Sequence, residues 1–110
     1  MIVFYWGCTP TFTRKWELQY EVIKQTQEPI TYNVSFTNKN GATKSQGPIS
    51  DAIWRSEIME DAESSLNVAL RVKILSGSGI LELRILRDGA VHESKILESP
   101  VYEAIAETSL

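Results

Sequence analysis

Cysteine and histidine are nearly missing from this chain. One cysteine, Cys8, in 110 residues excludes an intrachain disulfide and any metal site built from several thiolates. With one histidine, His92, no Ser-His-acid constellation stands out beyond the residues any chain contains. No apolar run approaches the roughly 20 residues that cross a bilayer as a helix. The 11 lysines and arginines are scattered, and the net charge is −3. That leaves no basic stripe for a phosphate backbone, so nucleic acid is not an expected partner. Ser76-Gly77-Ser78-Gly79 is followed by no Gly-Lys-Thr motif, and no Asp-x-Asp-x-Asp-Gly loop offers a calcium cage. Neither a metal nor a cofactor is expected.

What is present is alternation. Seven short segments from Trp16 onward alternate apolar and polar residues, as half-buried strands do. In Ile30–Thr37, Ile30, Tyr32, Val34 and Phe36 face one way and Thr31, Asn33, Ser35 and Thr37 the other. Asn40-Gly41 and Asp88-Gly89 are hairpin signals, because these residues tolerate positive φ. Ser76-Gly77-Ser78-Gly79 reads as a further hairpin turn, 42–46 as a polar edge strand ended by Gly47-Pro48, and 101–106 as a last strand. Residues 51–62 fit two readings: a helix capped by Ser50, or a strand with Trp54, Ser56 and Ile58 on one face and an acidic turn over 60–65.

One-faced strands joined by short turns must bury those faces on another sheet. The expected fold is all-β, an immunoglobulin-like two-sheet antiparallel sandwich of seven or eight strands; a closed barrel is the alternative. At 43% apolar, the chain has room for one domain with one core. The expected core is Trp16, Leu18, Tyr20, Val34, Phe36, Trp54, Val68, Leu70, Val72, Leu83 and Ile85.

The N-terminus is the other distinctive stretch. Met1-Ile2-Val3-Phe4-Tyr5-Trp6-Gly7-Cys8 is very apolar, and the polar Thr9-Pro10-Thr11-Phe12-Thr13 follows. This resembles the end of a bacterial lipoprotein signal, with Gly7 before a lipidated Cys8 and a polar tether after it. The stretch is short for such a signal and lacks a basic start. The other reading is an ordinary first strand over 2–6 with Cys8 an idle thiol. Residues 1–15 are thus a signal and tether region or a first strand, and 16–110 the sandwich domain.

The order and spacing of the hairpins resemble one family. Val34-Ser35-Phe36-Thr37-Asn38-Lys39-Asn40-Gly41 is similar to the T-Y-T-N-x-N-G hairpin of the MmpS-like β-sandwich family. Trp54 falls where that family commonly opens the next strand. Residues 66–85 resemble its central hairpin, 83–91 its Asp-Gly or Asn-Gly turn, and 99–104 its final strand. The resemblance implies an immunoglobulin-like domain outside the cytoplasmic membrane, accessory to a lipid exporter. It implies no catalytic residues.

The resulting expectation is a non-catalytic cell-envelope domain acting by protein–protein contact. Its partner would be an envelope protein or transporter, and its only membrane attachment a lipid on Cys8. It would be periplasmic or surface-exposed; with an unprocessed N-terminus it would be cytoplasmic. The alternative is a carbohydrate- or lipid-binding module, in which Trp16, Tyr32 and Trp54 line an open face and stack on a glycan or hold an acyl chain.

Overall fold

The computed structural model describes residues 15–110. The readings of Cys8 as a lipidation site and of 2–6 as a first strand lie outside the described residues. Nine strands are present among them: β1 (Lys15–Lys24), β2 (Ile30–Thr37), β3 (Thr43–Ile49), β4 (Ile53–Arg55), β5 (Met59–Glu63), β6 (Asn67–Gly77), β7 (Ile80–Arg87), β8 (Ala90–Glu98) and β9 (Glu103–Ser109). One sheet has the order β9-β6-β2-β3. The other has the order β4-β1-β7-β8, with β5 also paired to β1. Every pairing is antiparallel. The chain is a two-layer antiparallel sandwich.

The period-2 pattern sets the inner faces. Leu18, Tyr20 and Val22 of β1 meet Leu70 and Val72 of β6 and Leu81, Leu83 and Ile85 of β7 in one buried cluster. Of the expected core, Trp16 and Phe36 are only half-buried and pack against its rim. Both lie toward strand ends, where fewer neighbours cover a large ring.

Several local expectations are corrected. Residues 51–62 form no helix. They form β4 and β5, two short strands that flank β1. The alternation breaks between them, so Met59 is buried and Ile58 is 56% exposed. The acidic residues Glu60, Asp61 and Glu63 belong to β5 rather than a turn, and Asp61 takes a left-handed φ of 66°. Gly47-Pro48 does not end β3. The strand runs through it on a sheet edge, with a register shift opposite Asn33. An edge position spares proline the loss of a ladder bond.

Ser76-Gly77-Ser78-Gly79 is not a hairpin turn, because β6 and β7 belong to different sheets. The two glycines turn the chain from one layer to the other. Gly77 has φ +87°, and a Cβ there would lie 2.1 Å from the Pro29 carbonyl oxygen. The last strand begins at Glu103, two residues later than expected, leaving Val101 and Tyr102 in the connection.

The two expected hairpins do form. Asp88 and Gly89 both have positive φ, as a two-residue primed turn requires. The β2–β3 loop is longer: Asn38 Oδ1 accepts from the Asn40 and Ala42 backbone N–H at 2.9 and 3.0 Å, and only Gly41 is left-handed.

Both ends of the described chain meet at one end of the sandwich. The Arg87 guanidinium sits 4.0 Å from the centre of the Trp16 ring, and its Nη1 donates to the Leu110 carbonyl at 3.1 Å.

Candidate functional site

The aromatics of the glycan- or lipid-binding alternative do not share an open face. Tyr32 has no exposed surface and Trp54 only 4%. Trp54 packs on Phe36 with ring centres 5.6 Å apart, and Phe36 on Tyr20 at 5.2 Å. Trp16 is covered by Arg87 at one end of the molecule. Burial, with help from the Asp51 carboxylate, pushes the Tyr32 phenol up to about 12. Burial also raises Tyr20 well above its ordinary value, and its hydroxyl donates to the Thr37 carbonyl at 2.5 Å. Tyr20, Tyr32 and Trp54 are core, and Trp16 and Phe36 pack on its rim.

An open margin lies where the two layers end side by side. β8 is an edge of one sheet and β9 an edge of the other. Between them runs a groove of about 890 Å³, lined by Lys95, Leu97, Val101, Glu103 and Ile105 among others. Val101 and Tyr102, in the connection that closes one end, are 58% and 64% exposed, and Ile96 is 53% exposed.

Hydrogen-bond parity shows which backbone groups face outward. The Ser99 N–H donates to the Gly79 carbonyl at 3.1 Å, so odd residues of β8 point toward β7 up to the irregularity near Val91. Ser94, Ile96 and Glu98 therefore turn their N–H and C=O to the free edge. On β9 the Ile74 N–H donates to the Tyr102 carbonyl at 2.7 Å, so even residues point toward β6. Glu103, Ile105 and Glu107 face the edge. His92, half-buried, closes the other end: its Nε2–H donates to the Ser109 carbonyl at 2.8 Å. Groups arranged this way accept a strand or a flat protein surface.

A second feature escaped the sequence reading. Glu21 faces outward on β1, yet it is only 5% exposed. Arg55 Nε donates to its Oε2 at 2.6 Å, and Arg84 Nη1 to its Oε1 at 3.3 Å. Arg84 Nη2 also reaches Glu82 at 3.0 Å, and that bond, with the two carboxylates, raises the Arg84 pKa further. The network ties β4, β1 and β7 together. Both Glu21 oxygens accept from guanidinium groups, so this carboxylate is a structural acceptor. Its signal was weak because Glu21, Arg55 and Arg84 become neighbours only once the strand order is known.

Among the described residues, no group of three or more His, Cys, Asp or Glu is placed to hold a metal ion. Nor does any helix among them have the length and apolarity to cross a membrane. No protein-family profile matches the chain, and no curated protein matches it.

Proposed function

We propose that this chain is a non-catalytic cell-envelope domain of the MmpS-like kind. It works by protein–protein contact and is held at the membrane by a lipid on Cys8. The observation that carries the contact reading is the β9 edge of the open margin, with unpaired backbone along it and Val101 and Tyr102 exposed beside it. Such a margin suits a protein surface better than a sugar or acyl chain. The latter would need a cleft with two exposed rings, and of the rings expected to line it Tyr32 and Trp54 are interior.

Two measurements test the reading. Mass spectrometry of the mature N-terminus from native cells should find a diacylated Cys8. An unmodified Cys8 on protein recovered from the soluble fraction overturns the envelope assignment. A photo-crosslinking residue at Tyr102 should capture a defined envelope protein, while one at Lys44, on the opposite edge, should not. Equal capture from both positions, or from neither, overturns the assignment of the contact surface.

A further inference from the structure

We propose that a second copy of this chain pairs antiparallel along β8, joining the two five-stranded sheets into one. The inference does not depend on where the protein resides. β8 is a long free edge, nine residues without proline or glycine. By contrast, β3 carries Gly47-Pro48 and a register shift, and β4 has three residues. Glu93, Ser94, Lys95 and Ile96 are consecutive and exposed.

Charge selects the occupant and the register. Glu93 and Lys95 lie opposite Ile85 and Leu83, on the side of β8 that faces between the layers. Neither makes an ion pair among the described residues. Charges on the inward side of an edge strand oppose pairing with an arbitrary strand, because they would be covered without partners. Here they have opposite signs and flank Ser94 symmetrically. Two antiparallel copies of β8 centred on Ser94 place Glu93 of each opposite Lys95 of the other. Centring on Glu93 or on Lys95 places like charges face to face. An odd register is excluded, since paired residues must point to the same side of a sheet. The same two charges thus repel other strands and admit this one.

The backbone agrees with the side chains. Ser94 turns its N–H and C=O to the free edge, so two copies centred there exchange a pair of backbone hydrogen bonds. The Glu93–Lys95 pairs then fall at non-hydrogen-bonded positions, where opposed side chains approach most closely. Ile96, now 53% exposed on the outer face, would be partly covered by the joined sheet.

The test is sedimentation equilibrium of the full chain at low salt. The expected result is a concentration-dependent dimer that weakens as salt is added. Lys95→Glu and Glu93→Lys, both at exposed positions, should each raise the dimer dissociation constant at least tenfold. Mixing the two single variants should restore association, because each then supplies the charges the other lacks. The double variant Glu93→Lys/Lys95→Glu should restore it within one chain. A monomer at several hundred micromolar, single variants that associate as well as the parent, or mixing that restores nothing would each overturn the proposal.

Discussion

Ser56 does the work of a missing strand residue. β4 ends at Arg55 and β5 begins at Met59, so the ladder along β1 is interrupted beside Tyr20. The Ser56 hydroxyl accepts from the Tyr20 N–H at 2.9 Å and donates to the Glu57 carbonyl at 3.0 Å, while the Ser56 N–H bonds the Tyr20 carbonyl at 3.0 Å. Ser56→Ala leaves a buried N–H without an acceptor and should cost about 1–3 kcal/mol, read as a shift in the urea midpoint at unchanged slope. Gly77 is constrained differently. Alanine there must hold a positive φ and displace the Pro29 carbonyl, so Gly77→Ala should lose at least about 1–3 kcal/mol in the same assay. Ser56 could be read only as a polar residue on an apolar face, because its partner lies 36 positions away.

At the scale of the strand, Leu70 and Leu83 are fully buried on the inner faces of opposite sheets. Truncating either to alanine should cost about 2–5 kcal/mol; a loss below about 1 kcal/mol at both would mean the inner faces are wrongly identified. Strands with strict alternation, such as β2 and β6, were legible because the period-2 pattern is local. β4 and β5 were not, because three- and five-residue strands carry too little pattern and are fixed by pairing with β1. The Ser76-Gly77-Ser78-Gly79 segment misled for a related reason. Glycine signals a change of direction equally for a hairpin and for a passage between layers, and only the pairing of β6 with β2 and of β7 with β1 separates the two. The β8–β9 margin was illegible for the same cause: which strands end up as edges follows from sheet order.

As a whole, the molecule should show a strand-dominated circular dichroism spectrum, and it should weaken at high pH in a defined window. Folded Tyr32 holds its proton up to about pH 12, whereas an unfolded tyrosine releases it near pH 10. The contribution of Tyr32 to stability is therefore full below about pH 10 and falls as pH rises from about 10 toward 12, because the unfolded chain gives up the proton first. Tyr20 acts in the same direction. Urea midpoints that stay flat through that window would contradict the assignment of Tyr32 to the interior. The meeting of both ends of the described chain beside Arg87 has a mechanical consequence. Lys15 starts β1 in one layer and Leu110 follows β9 in the other, and both lie at one end of the sandwich. A force applied between them acts across the strands instead of along them. Backbone bonds would then open one after another, as in a zipper, without sharing the load. Stretched between these points in an optical trap, the domain should yield at low force, and more easily than when held between points at opposite ends of β1.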